Sequence, residues 1–347
     1  MRRWSPGGDG PGGTSNGLVG TADQLPDASL PSKQPHPDGF AIPAATRVYR
    51  FVRDGWDVVR WTRSPIELGR ALFPLPRSLT KPRVLNEGPS PRGEASPASV
   101  GAILGTLKNV LQSEALVDGR VDYRRLAGSR VYEELCEQTQ MLAHVMPESF
   151  HSDAERTAFW LNLYNVLSIH GVVALKIEKS VMEIPSFFVR VAYRVGPHIF
   201  ALDDMLSGIL RRGAPKPATG HLPFRPGDAR TAYCPQTVDP RIHAGLVCAA
   251  ASCPPVAYYT ADQLDHQLNL AAENLVRQLV RVDRDRRVVH LPLQFYYYAR
   301  DFGGPTGVVS FVLGYLSDTE RPVARLAFEE RWSVRWDRYD WGLNISN

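Results

Sequence analysis

Residues 154–175 are predominantly apolar, and Phe159, Leu163, Val166, Leu167 and His170 fall on one helical face. This predicts the strongest helix of the chain, and Gly171 does not interrupt so apolar a run. Similar periodicity predicts helices over Val100–Leu111, Val131–Val145 and Thr306–Leu316. A further long helix is predicted over Ala261–Val280, with Thr260 as its N-cap. Apolar stretches around the Gly196-Pro197 turn predict a hairpin of 187–195 with 198–202. Asp203 is placed to cap a short helix that ends near Arg212-Gly213. Ile242–Val247 reads as a short buried strand, 287–291 as another, and the alternation of Trp332, Val334 and Trp336 as a last one. Pro292–Tyr298 is an aromatic stretch. Helices lead, strands and helices mix later, and no βαβ repeat is visible. That order favours an α+β fold with helices packed on an antiparallel sheet.

The first part of the chain is patterned differently. Residues 1–42 are rich in Gly, Pro, Ser and Asp and poor in apolar side chains, which predicts a disordered tail. In 43–73, Val48, Phe51, Val52, Val59 and Trp61 recur near helical spacing among Arg47, Arg50, Arg53, Arg60 and Arg63. This is a basic amphipathic helix. Such helices pack on a domain, lie on an anionic membrane surface or fill a partner's groove. Pro, Ser and Gly in 74–96 suggest a linker, and the globular domain is expected over 97–347.

Composition narrows the function classes. The 347 residues carry 40 Lys and Arg against 36 Asp and Glu, a net charge of +4. That balance gives no case for a nucleic-acid partner. No apolar run reaches the ~18 residues of a membrane span, and no secretory apolar core follows Arg2 and Arg3, so a cytoplasmic location is expected. The four cysteines at 136, 234, 248 and 253 are too few and too irregular for a disulfide scaffold.

The chemistry concentrates in Asp239–Pro255. Cys248 follows the apolar run, small residues come next, and Cys253 precedes two prolines. A thiol in a loop of small side chains has room for a substrate, which suits nucleophilic catalysis. His243 is the nearest base in sequence. Five residues of straight strand span roughly 16 Å and put the two side chains on opposite faces. The pair meets only if the chain bends, for example at Gly245. His170, His198, His266 and His290 stay open as alternative bases.

Cys253 is the nucleophile itself, a redox partner of Cys248, or packing. His243, Cys248 and Cys253 offer three zinc ligands without an evident fourth, and no cofactor is expected. Asn162, Tyr164 and Asn165 lie on the apolar helix. Buried amides there either clamp neighbouring loops or act as oxyanion or substrate contacts. Ser252 is a further candidate substrate contact. Asp301 reads as a cap or turn residue, or less simply as the carboxylate that orients a histidine. The Asp301-Phe-Gly sequence lacks the other kinase motifs, and no Gly-x-Ser-x-Gly elbow, dinucleotide fingerprint or P-loop is present.

Several blocks together resemble one family. Phe159-Trp-Leu-Asn-Leu-Tyr-Asn165, Phe200–Arg211, Asp239–Cys248 with Ser252-Cys-Pro254, Asp301-Phe302 and Tyr339–Asn344 are similar, in order, to motifs of the domain-of-unknown-function 547 family. The resemblance spans roughly 100–347. It implies an α+β domain related to cysteine-peptidase or transglutaminase-like folds, and it brings no established activity. Where many members have Ile-Glu-His, this chain has Met205-Leu206-Ser207.

Two functions are therefore expected as alternatives. One is a cysteine-dependent hydrolase or acyl transferase acting on an amide or thioester of a peptide or small molecule, with Cys248 as nucleophile and His243 as base. The other is an inactive scaffold of the same fold that binds a peptide, a protein partner or, through residues 43–72, a membrane surface.

Overall fold

A computed structural model describes residues 81–88, 100–217 and 222–346. The expected tail at 1–42 and basic helix at 43–73 lie outside the described residues. In chain order the elements are β1 (Arg83–Val84), α1 (Val100–Leu111), β2 (Leu116–Val117), β3 (Arg120–Val121), α2 (Tyr123–Ala127), α3 (Arg130–Gln138) and α4 (Asp153–Ala174). Then come α5 (Phe187–Arg190), β4 (Val191–Val195), β5 (His198–Ala201) and a wide-wound helical stretch, Asp204–Leu210. The chain continues through α6 (Ile242–Gly245), α7 (Leu264–Leu279), β6 (Arg281–Asp283), β7 (Val288–Pro292), α8 (Leu293–Tyr297), α9 (Pro305–Tyr315), α10 (Arg321–Glu329) and β8 (Ser333–Asp337).

Helix α4 is the axis of the larger core. Ser152 caps it by accepting from the Glu155 N–H at 3.1 Å, and Asp153 and Glu155 place negative charge in its first turn. Every residue from Thr157 to Val172 is buried, as expected for a helix enclosed on all sides. Gly171 makes room for α5 and β4: a Cβ there would meet Val191 Cγ1 at 2.8 Å and the Phe187 ring at 3.1 Å. Phe159, Trp160, Phe200 and Tyr233 interlock through edge-on and tilted ring contacts. A second, smaller core joins one side of α7 with β7, α8, α9 and α10 through Ala272, Val276, Leu291, Phe295, Val312 and Ala324.

The fold is mixed α+β, but the single antiparallel sheet expected from the sequence is replaced by small ones. β1, β4 and β5 form one three-stranded sheet, and β6, β7 and β8 another. Each contains one parallel pair, β1 with β4 and β7 with β8. The chain leaves β7 through α8, α9 and α10 before β8 pairs with it, and a crossover of that kind sets strands parallel. The β4–β5 hairpin turns at Gly196, which adopts φ 55°. Phe187–Arg190, expected to extend this hairpin, is a helical turn.

The stretch expected as a linker contributes structure to the domain. Asn86 donates to the carbonyls of Thr139 and Arg194 and accepts from the Arg194 N–H. These bonds tie residues 83–88 to the sheet, so the domain's first strand lies upstream of 97. No helix of the described residues is long and apolar enough to cross a membrane.

Candidate active site

The apolar run before Cys248 is not a strand. Asp239 accepts from the Arg241 N–H at 2.9 Å, and the Ile242 and His243 N–H groups reach back to the carbonyls of Asp239 and Pro240. This aspartate–proline turn starts α6, so local bonds override the strand preference of the apolar side chains. Gly245 closes the turn against Tyr259, where a Cβ would lie 2.8 Å from the phenol oxygen. From Leu246 the backbone is extended and delivers Cys248.

Asn165 holds this delivery segment. Its Nδ2 donates to the Gly245 carbonyl at 3.0 Å, and its Oδ1 accepts from the Val247 N–H at 2.8 Å. Asn162, one turn earlier on α4, brackets Tyr259 in the same way at 2.7 and 2.9 Å. Both side chains are fully buried. Of the two roles open to them in the sequence, this is the geometry of loop clamps: the oxygen and one N–H of each amide are engaged with backbone.

Beyond Cys248 the chain curls back on itself. Ala249 takes φ 65°, a left-handed conformation that is strained for a residue with a Cβ. The curl aims backbone N–H groups inward, as in an anion-binding nest. The sulfur of Cys253 occupies it. Cys253 Sγ lies 3.1 Å from the Cys248 N–H, 3.1 Å from Cys248 Sγ and 3.2 Å from the Tyr339 hydroxyl. Tyr339 is also 3.2 Å from Cys248 Sγ. Both cysteines are free and half-buried.

The two sulfurs titrate as a pair. Burial acts to raise the Cys253 thiol. Donation from the Cys248 thiol, the Tyr339 hydroxyl and the N–H groups of Cys248 and Ala250 outweighs burial and brings Cys253 down to about 7. Cys248 is pushed well up, first by its bond to Cys253 and then by burial. The backbone N–H of Cys248 is aimed at Cys253 Sγ, which favours Cys253 as the sulfur that carries the charge when the pair loses one proton.

The curl is pinned by the C-terminal segment. The N–H groups of Ala251 and Ser252 donate to the carbonyls of Gly342 and Asp340, and the Asn344 N–H donates to Ala249. Ser252 Oγ accepts from the Asp340 N–H at 2.7 Å. Ser252, a candidate substrate contact in the sequence, thus anchors the strap that carries Tyr339. Tyr123 donates to Asn344 Oδ1 from the other side.

His243 belongs to a second cluster. Its Nε2 is 2.8 Å from Asp301 Oδ2, and Arg211 holds the same carboxylate with two nitrogens, one of them at 3.0 Å. All three side chains are buried. The Tyr298 ring stacks on the imidazole at 4.1 Å, and the Arg211 guanidinium lies over the same ring. Burial pushes the His243 imidazole down, against the upward pull of Asp301. Asp301 is raised by burial but held below its usual value by its bonds to His243 and Arg211. A neutral histidine facing a carboxylate carries its proton on Nε2, which leaves Nδ1 as the ring's acceptor.

Three expectations meet this geometry. Among the described residues no hydrogen bond joins a histidine to Cys248 or Cys253; their partners are each other, Tyr339 and backbone. His243, Cys248 and Cys253 are not gathered as metal ligands, and the described residues contain no cluster of three such groups. Asp301 is the carboxylate of a histidine rather than a simple turn residue. Tyr164, the remaining candidate, is a buried phenol. Burial raises it well above the ordinary phenol value. Burial raises the Tyr298 phenol as well, against the downward pull of Arg211.

Arg211, Tyr298 and Tyr339 are the residues the sequence reading passed over. Arg211 and Tyr339 lay inside motif blocks already recognised. Leu206 packs on the larger core, and Ser207 is buried with no hydrogen-bond partner among the described residues for its Oγ.

The site is thus a dithiol loop in a mixed α+β domain. Residues 148–276 match the family described as "Protein of unknown function, DUF547", a stretch that contains α4, α6 and both sulfurs. No curated protein and no solved structure matches the chain.

Proposed function

We propose that the Cys248–Cys253 loop is a nucleophilic centre for acyl transfer or hydrolysis, acting on a thioester of a small molecule or peptide. One observation carries this reading: the Cys253 sulfur accepts from the Cys248 N–H and lies 3.1 Å from the Cys248 thiol and 3.2 Å from the Tyr339 hydroxyl. Donors aimed at a sulfur stabilise the thiolate, the form that attacks. The reading moves the nucleophile from Cys248, the first candidate in the sequence, to Cys253.

The leaving group decides between thioester and amide. An amine departs only when protonated, whereas a thiolate departs unaided. The described residues place no imidazole in hydrogen-bond contact with either sulfur, which favours the thioester. Cys253 sulfur attacks the carbonyl carbon, the C–S bond to the donor breaks, and the donor thiolate leaves. Water then releases the acyl group as a carboxylate, or another nucleophile accepts it. His243, neutral and oriented by Asp301, is assigned to activating that water. In this reading the domain is put to cysteine-peptidase-like use, sulfur attack on an acyl carbon.

The test is incubation of the full chain with an S-aryl thioester, followed by intact mass and peptide mapping. The expected result is a single acyl adduct on Cys253 that is absent from Cys253→Ala and retained in Cys136→Ala. Acylation spread equally over Cys136 and Cys234, or none at all, overturns the reading and leaves the binding scaffold.

A further inference from the structure

The four cysteines are not alike. Cys234 donates to the Gly208 carbonyl at 3.4 Å, and burial pushes its thiol up to about 11. Cys136 lies 3.8 Å from His170 Nε2, and burial raises it too. Neither lies in contact with a second sulfur. Cys248 and Cys253 do, at 3.1 Å, in a curl only six residues long that the C-terminal strap holds from outside. A disulfide requires the sulfurs to approach to about 2.05 Å. The remaining movement, roughly 1 Å, is within reach of side-chain rotation in a partly exposed loop.

We propose that Cys248 and Cys253 form a redox-active dithiol that closes reversibly into an intramolecular disulfide by exchange with a low-molecular-weight disulfide. This goes beyond acyl chemistry and does not depend on it. The sulfur in the N–H nest reacts first. Cys253 thiolate attacks one sulfur of the oxidant, the oxidant's S–S bond breaks, and one thiolate leaves. Cys248 then loses its proton to solvent and attacks the Cys253 sulfur of the mixed disulfide, which expels the second thiolate. Two protein thiols become one disulfide. The oxidant disulfide becomes two thiols that carry the two protons released. Exchange of this kind needs an attacking thiol whose pKa is near ambient pH and a second thiol in contact with it, and the loop supplies both.

Closure also removes the acceptor thiolate that the two N–H groups and Tyr339 surround. The same loop therefore has an open, nucleophilic state and a closed, unreactive one.

The experiment uses the full reduced chain at neutral pH with oxidised glutathione, read by non-reducing intact mass and peptide mapping. The expected product has lost two hydrogen atoms, carries no glutathione, links the peptides of Cys248 and Cys253, and reverts with a dithiol reductant. Cys248→Ser is expected to stop at one glutathione on Cys253. Stable glutathione adducts on wild-type protein without closure overturn the proposal. So does a cross-link through Cys136 or Cys234, or a chain that stays reduced under conditions that oxidise dithiothreitol. The assay contains no acyl donor, so its outcome is separate from that of the thioester test.

Discussion

Replacing Asn165 with alanine tests how the cysteine loop is held. The side chain satisfies two buried backbone groups, the Gly245 carbonyl at 3.0 Å and the Val247 N–H at 2.8 Å. Both groups stay buried after truncation, and each unpaired group costs about 1–3 kcal/mol. Water entering the space left behind offsets part of this, so the expected loss is about 2–4 kcal/mol, read as a lowered urea midpoint at unchanged slope. Asn162→Ala is the matched control, because it removes an equivalent bracket at Tyr259. Its stability loss should be similar. Only Asn165→Ala should also slow alkylation of Cys253, since Val247 immediately precedes Cys248 and the Cys248 N–H is a donor to the thiolate. A stability loss below about 0.5 kcal/mol for Asn165→Ala would refute the clamp. Equal effects of the two variants on alkylation would refute its link to the sulfur.

Three further perturbations bear on the same account. Tyr339→Phe removes a hydroxyl 3.2 Å from both sulfurs. It should raise the Cys253 pKa by about one unit and cut its thiolate fraction at neutral pH several-fold; an unchanged pH profile of alkylation contradicts the assignment. Asp301→Asn leaves the buried Arg211 without its carboxylate and should cost about 3–5 kcal/mol by denaturant titration, whereas a loss under about 1 kcal/mol would mean that the pair is solvated. Burial holds the His170 imidazole at about 4 against an ordinary 6.5. The unfolded chain takes up this proton before the folded one does, so this contribution to stability is complete above 6.5 and declines as pH falls toward 4. The slope is about 1.4 kcal/mol per unit and the total roughly 3 kcal/mol. His170→Gln should flatten that limb, and parallel acid limbs in wild type and variant would contradict it.

What could be read from the sequence, and what could not, follows from interaction range. Helix α4 was legible because sixteen consecutive buried positions leave a pattern that no loop produces. The β4–β5 hairpin was legible from its Gly-Pro turn. Ile242–Val247 was misread because an apolar run of this length fits a strand as well as a helical turn. The deciding information was the aspartate–proline pair just before it and the remote amide of Asn165. His243 and the two cysteines were recognised as chemistry-bearing, but their partners were not. Asp301 is 58 residues from His243 and 90 from Arg211, and Tyr339 is 86 from Cys253. No local periodicity encodes such pairings. The ordered motif blocks did carry the signal in another form. Asn165, Arg211, His243 with both sulfurs, Asp301 and Tyr339 come from five separate blocks, and the fold joins them into two clusters.

The central claim is that this loop keeps a sulfur ionised at Cys253, with Cys248 and Tyr339 as donors. The most direct measurement is the rate of alkylation by iodoacetamide against pH, resolved by peptide, for wild type, Cys248→Ala and Cys253→Ala. The account predicts an inflection near 7 at Cys253 in wild type, moved upward in Cys248→Ala, while Cys136 and Cys234 react slowly throughout. An inflection at Cys253 at or above about 8.5, the value of an ordinary free thiol, contradicts it.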